Sequence, residues 1–139
     1  MKKIVSFLVA TFILFACDTG KTTGKPETDA DAASMFIRSA LNGQWKEARK
    51  LILEDSANIE DLELSERLYT ERTNANDQRS YRESQITVYN IRQINDSASV
   101  ITYSNTFRNQ RDSLKVVRVA GDWLVDLKYS FSPAKKTIQ

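Results

Sequence analysis

From Gln85 onward the chain alternates apolar and polar residues with a period of two, in four runs: QITVYNIRQI, ASVITYSNTF, SLKVVRV and WLVDLKYSF. The intervening NDS, RNQRD and AGD are each short enough for a hairpin. Period-two runs joined this tightly predict a four-stranded antiparallel meander, because parallel neighbours need a long crossover. A sheet built this way must bury one face, and what precedes it in the chain has to supply the cover.

The residues before Gln85 carry the helical period instead. In DADAASMFIRSALNG, Ala33, Phe36, Ile37, Ala40 and Leu41 recur at helical spacing, with Thr28 or Asp29 as N-cap and Asn42-Gly43 as the stop. The next segment, QWKEARKLIL, puts Trp45, Ala48, Leu51 and Ile52 on one helix face and follows so closely that the two should pack as a hairpin. Ile59, Leu62, Leu64, Leu68 and Tyr69 predict one more amphipathic helix, loosening at TNAND, with acidic residues in its first turns and arginines in its last. The fold class expected is therefore α+β, with helices covering one face of the sheet.

In the last run Trp123, Val125, Leu127, Tyr129 and Phe131 share one parity, and Leu124, Asp126, Lys128 and Ser130 the other. If Ala120-Gly121 is a two-residue turn, Leu114, Val116 and Arg118 join the tryptophan face, which is then the core-facing one. Lys115, Val117, Val119, Leu124, Asp126 and Lys128 make the other face mixed and partly wet.

At the other end of the chain, Met1, Lys2 and Lys3 form a positive start, and Ile4 to Ala16 carry no charge. At 1.5 Å per residue such a helix reaches about 20 Å, short of the roughly 30 Å hydrocarbon core, which suits an export signal rather than a membrane span. Leu14-Phe15-Ala16-Cys17 resembles the lipobox of bacterial lipoproteins: an aliphatic residue, a small residue just before the cut, then an obligatory cysteine. That resemblance implies removal of residues 1–16 and acylation of Cys17, the only cysteine, so that membrane lipid is one partner. The alternative, a buried thiol in a secreted chain, lacks neighbours able to bury it. Residues 17–28 then form a lipidated tether, since Asp18 to Thr28 contains no side chain able to anchor a core. Its typical reach is about 20 Å, and about 40 Å when fully extended. Residues 29–139 are expected to make a single domain.

Charge and chemistry exclude several functions. Of 20 Lys and Arg, two leave with the signal, and the remaining 18 balance 18 Asp and Glu. A neutral exported chain lacks the basic footprint that nucleic-acid binding requires. Histidine is absent, and the thiol is consumed by lipid. That removes Ser-His-Asp and Cys-His catalysis and the usual zinc ligand sets. No metal or cofactor is expected, and no catalytic residue is assigned.

The order of elements, with LNGQWKEARKLI early and VVRVAGDWLVDL late, resembles small bacterial lipoproteins of unknown function whose domain is similar to nuclear transport factor 2. The resemblance covers most of Asp29 to Phe131. It implies a strongly curved sheet wrapped against helices as a cone, often with a pocket at the wide end, a fold that serves enzymes, ligand carriers and protein-binding platforms alike.

Within that frame Tyr89 on the first strand, with Tyr103 and Phe107 sharing parity on the second, are the candidate ligand- or partner-binding residues, with sheet packing as the plain reading. Trp45 and Trp123, beside glycine turns, are read as structural. Arg108 and Arg111 in RNQRD would meet an acidic partner or lipid headgroup, or form a solvated hairpin loop. The function expected is a lipid-anchored, periplasm-facing or outer-membrane protein of the bacterial envelope. It would act as a non-catalytic binding or scaffolding module for an envelope protein or a small ligand. The alternative is a small-molecule pocket protein using a carboxylate/tyrosine pair as an enzyme.

Overall fold

Thr28 opens the first helix with an extended backbone (φ −127°, ψ 166°). Its hydroxyl accepts from the Asp31 amide at 3.1 Å, while the Asp31 carboxylate accepts from the Thr28 amide at 3.0 Å. This reciprocal cap satisfies two otherwise orphaned donors and sets the start of α1 (Asp29–Leu41). The computed structural model describes residues 24–131, so the expectations for residues 1–16, for Cys17 and for most of the tether lie outside the described residues. α1 buries Ala32, Ala33, Phe36 and Ile37 and stops at Asn42-Gly43, as its sequence predicts. Gly43 has φ +69°, a conformation that favours glycine, and a Cβ there would lie 3.1 Å from the Tyr69 ring and push it aside by a few tenths of an ångström.

Three helices follow: α2 (Trp45–Arg49), α3 (Ser56–Arg72) and α4 (Ala75–Glu83). The single helix expected between Ser56 and Ser84 is thus two. Thr73 turns extended (φ −103°, ψ 116°), and Asn74 begins a new helix by accepting the Asp77 amide at 2.9 Å. Nor do acidic residues fill the first turn of α3; the acidic group there is the N-cap Asp55, which accepts from the Asn58 amide at 3.0 Å. The C-terminal carbonyls of α4 are met by α1, whose Arg38 guanidinium donates to Ser84 at 2.9 Å and to Arg82 at 3.4 Å.

The sheet is an open antiparallel meander in the order β1 (Ile86–Asn95), β2 (Ala98–Asn105), β3 (Asp112–Val119), β4 (Asp122–Asp126). Ala120 and Gly121, with φ +50° and +88°, make the two-residue turn between β3 and β4. The register is therefore the expected one: Arg118 opposes Trp123 and Val116 opposes Val125. Leu114, Val116 and Val125 are buried with Ile101 of β2 against Phe36 and Ile37. Of β1 only Ile86 packs against this core, and Val88, Ile91 and Ile94 are 40 to 48% exposed along the strand.

Both α2 and β4 are shorter than their apolar patterns predict, and each ends because a distant partner claims the backbone. The helix expected through Leu53 ends at Arg49. Leu51 and Leu53 instead bond β4, with the Val125 amide donating to Leu51 at 2.8 Å and the Leu53 amide to Val125 at 2.9 Å. That pairing covers an edge strand which would otherwise leave its groups unmet. The strand expected through Phe131 ends at Asp126, because the Leu127 amide donates to the Asn58 side chain at 2.6 Å and Lys128–Phe131 forms a helical turn, α5. Tyr129 therefore does not extend the Trp123 face.

Asp55, Asn58, Asp126 and Lys128 join α3, β4 and α5. The Lys128 ammonium and the Asn58 groups hold the Asp55 carboxyl at about 2, below its usual 3.8. A carboxylate whose folded value is depressed contributes fully above its unfolded value and loses that contribution as pH falls toward the folded one. The urea midpoint should accordingly show an Asp55-dependent fall between about pH 4 and pH 2, and Asp55→Asn should flatten that part of the profile. An identical profile for the variant would remove Asp55 from the acid response.

Candidate functional site

β2 and β3 stay paired as far as Tyr103 and Asp112, and beyond them the chain loops out through Arg108 to Arg111. Tyr103 points to the helix side of the sheet together with Ile101. Its hydroxyl is hydrogen-bonded to Asp112; burial first, and then the Asp112 charge, push the phenol well above its usual range. The ring consequently stays protonated, with its proton directed at the Asp112 carboxylate.

Two cavities meet at this point. One, of about 450 Å³, is walled by Phe36 and Leu41 of α1, Trp45 of α2 and Leu68 of α3, with Arg72 and Arg108 on it as well. The other, of about 380 Å³, is polar and lined by Asn105, Arg108, Gln110, Arg111 and Asp112. Tyr81, Tyr103 and Arg108 line both, so the two share a wall and differ in chemistry across it. The first volume lies within the range of small-molecule sites.

An aromatic series frames the apolar side. Trp45 meets Tyr69 edge-on at 5.5 Å, Tyr69 lies 6.3 Å from Tyr81, and Tyr81 meets Phe107 edge-on at 4.8 Å. The break between α3 and α4 makes this possible, because α4 turns back and brings Tyr81 beside Tyr69.

Of the three residues singled out from sequence, Tyr103 lines both cavities; Phe107 lines neither, touches their shared residue Tyr81 edge-on, and belongs to the turn after β2 rather than to the strand. Tyr89 does not join them. It falls in the irregularity between Val88 and Asn90, where strict alternation fails. Its hydroxyl lies 3.1 Å from that of Ser104, which points away from the helices. The Tyr89 ring instead carries the Arg111 guanidinium at 4.2 Å. Trp45, read from sequence as structural, packs against the core and also walls the apolar cavity. Arg108 belongs to the site as well as to a hairpin loop. Tyr81 and Arg72 had no sequence signal as site residues, since their placement depends on the path of α3 and α4.

Asp126, the carboxylate on the mixed face of the last strand, stands elsewhere: it is 7% exposed and lies 3.6 Å from both Lys115 and Lys128. Among the described residues no group of three or more carboxylate, histidine or cysteine side chains could hold a metal ion, and no helix is long and apolar enough to cross a membrane.

Compared with protein-family models, curated proteins and solved structures, the chain matches none. What its fold defines is a class: helices on a four-stranded antiparallel open sheet, α+β.

Proposed function

We propose that this protein is a lipid-anchored binding module of the bacterial cell envelope, with a domain of the nuclear transport factor 2-like kind that holds its ligand or partner in the cleft between helices and sheet. The observation that carries this reading is the pair of adjoining cavities, one apolar and one polar, sharing Tyr81, Tyr103 and Arg108. Such a cleft offers apolar area and directed polar groups together, which is what binding needs.

The chain path supports the arrangement on a membrane. The segment entering α1 lies against the β3–β4 turn, where Lys25 pairs with Asp122 at 2.9 Å, and Asp29 is hydrogen-bonded to Ser99. The cavities lie toward the opposite end of the strands, beneath the β2–β3 loop. On this reading a domain held through Cys17 carries its cleft at the pole farther from the point where the described chain begins.

A second reading, an enzyme using a carboxylate/tyrosine pair, draws on Tyr103 and Asp112. Their mutual hydrogen bond directs the phenol proton to the carboxylate, and a raised phenol makes a poor base at neutral pH.

A photo-crosslinking amino acid placed at Phe107, at the cleft, and separately at Asp96, in the β1–β2 turn, tests the binding reading in intact cells. Adducts of defined mass at 107 and not at 96 are expected. Adducts at 96 alone would move the binding surface to the other pole, and turnover of a captured metabolite by the purified protein would replace the module with the enzyme.

A further inference from the structure

We propose that the cleft selects an amphipathic anion, a ligand with one apolar chain or ring system and a carboxylate or phosphate head. The inference rests on the binding reading above and adds the ligand class to it. Phe36, Leu41, Trp45 and Leu68 supply an apolar wall, and Leu68 remains 38% exposed beside it. An apolar side chain left open on a cavity wall gains from a ligand that excludes water there.

Charge selects the head group. Arg72 ends α3 and Arg108 stands in the β2–β3 loop, far apart in sequence, yet both line this one cavity. Among the described residues neither guanidinium has an ion pair or hydrogen bond, whereas Arg49 and Arg79 are paired with Glu63 and Glu83, and Arg38 bonds backbone carbonyls. Asp112, the carboxylate lining the neighbouring polar cavity, is engaged by the Tyr103 phenol, and Arg111 adds a further positive charge there. The cleft therefore combines an apolar wall with two guanidinium groups that make no ion pair among the described residues, and the three arginines lining the two cavities outnumber their one carboxylate, Asp112. Guanidinium donors match a carboxylate or phosphate in a planar, two-bonded geometry. An apolar cation would meet the same wall and be repelled at its rim, and a neutral amphiphile would leave both guanidinium groups without an acceptor.

The test uses the full chain in nanodiscs of zwitterionic lipid, titrated calorimetrically with octanoate, octyl phosphate, octanol and octylamine, with empty nanodiscs as the blank. Octanoate or octyl phosphate should bind roughly tenfold or more tighter than octanol, the worth of one charge-assisted contact, and octylamine more weakly still. Binding of one anion and not the other supports the proposal and names the head group. Arg72→Gln and Arg108→Gln should each weaken anion binding roughly tenfold and leave octanol unchanged. Arg92→Gln, an equal charge change on exposed β1, should alter neither. Leu68→Asp should abolish binding of all four while the unfolding transition persists.

Equal affinity for octanol and octanoate would overturn the anion inference but leave the cleft as a binding site. Absence of binding by all four to a folded protein would overturn the ligand class, whereas the crosslinking result at position 107 decides the binding reading on its own.

Discussion

Replacing Asn58 by Ala is expected to cost about 3 kcal/mol or more of folding stability, because it leaves two buried groups without their partner at once. Asn58 is completely buried. Its side-chain oxygen accepts the Leu127 amide at 2.6 Å, and its nitrogen donates to Asp55 at 2.9 Å and to Asp126 at 3.5 Å. The residue thus splices the start of α3 to the end of β4 and is the reason the last strand stops there. Without it the Leu127 amide lies in a site from which water is excluded, and a buried unmet donor costs roughly 1 to 3 kcal/mol. Asp126 would retain its ammonium partners but lose a donor in a nearly buried site, and a partly satisfied buried charge is the more expensive case. Asn58→Asp should be worse still, since it sets a third carboxylate between Asp55 and Asp126. Urea unfolding followed by tryptophan emission measures both variants; a loss below about 1 kcal/mol for Asn58→Ala would mean that water takes the place of the amide.

How far each element could be read from sequence depended on how local its cause is. The ends of α1 are set within a few residues by Thr28 with Asp31 and by Asn42 with Gly43, so pattern alone predicted them. The parity of Trp123 with Val116 and Arg118 needed only a two-residue turn at Ala120-Gly121. The ends of α2 and β4 were not legible, because Leu51, Leu53 and Leu127 spend their backbone bonds on partners about seventy residues away in sequence. An apolar run says that a segment is buried, not which backbone meets it. The same division holds at the cleft. Tyr103 was legible, since strand alternation fixes its side of the sheet. Tyr89 was assigned to the same group as Tyr103, and a single irregularity at that residue sends its hydroxyl to Ser104 instead. Tyr81, Arg72 and Arg108 converge only through the reversal between α3 and α4 and the departure of the β2–β3 loop, neither of which leaves a periodic trace.

The largest effect expected of any single substitution is that of Cys17→Ser on lipid attachment: the variant should lose all incorporation of an alkyne fatty acid. The motive is Leu14-Phe15-Ala16-Cys17 after an uncharged run, which carries the lipoprotein resemblance. A single myristoyl chain holds a protein to a bilayer with an association constant of only about 10⁴ M⁻¹, so two or more chains are needed for anchoring that survives dilution. Loss of the acceptor thiol removes all of them together, and the partition of the chain without residues 1–16 into vesicles should fall below the association constant of about 10⁴ M⁻¹ that a single chain gives. Serine preserves size and polarity, so a change in folding is not the cause of any loss. Vesicle flotation and fatty-acid labelling of wild type and variant read the two consequences separately. Equal labelling of both would remove the anchor and with it the envelope reading, while the anion titration of the cleft would stand on its own result. Labelling confined to the wild type would bring the domain near the bilayer, since the residues from Cys17 to Gly24 span at most about 25 Å. The described chain starts beside the β3–β4 turn, where Lys25 pairs with Asp122 at 2.9 Å, so that pole is the one a short link would hold nearest the lipid, with Arg72 and Arg108 at the farther one.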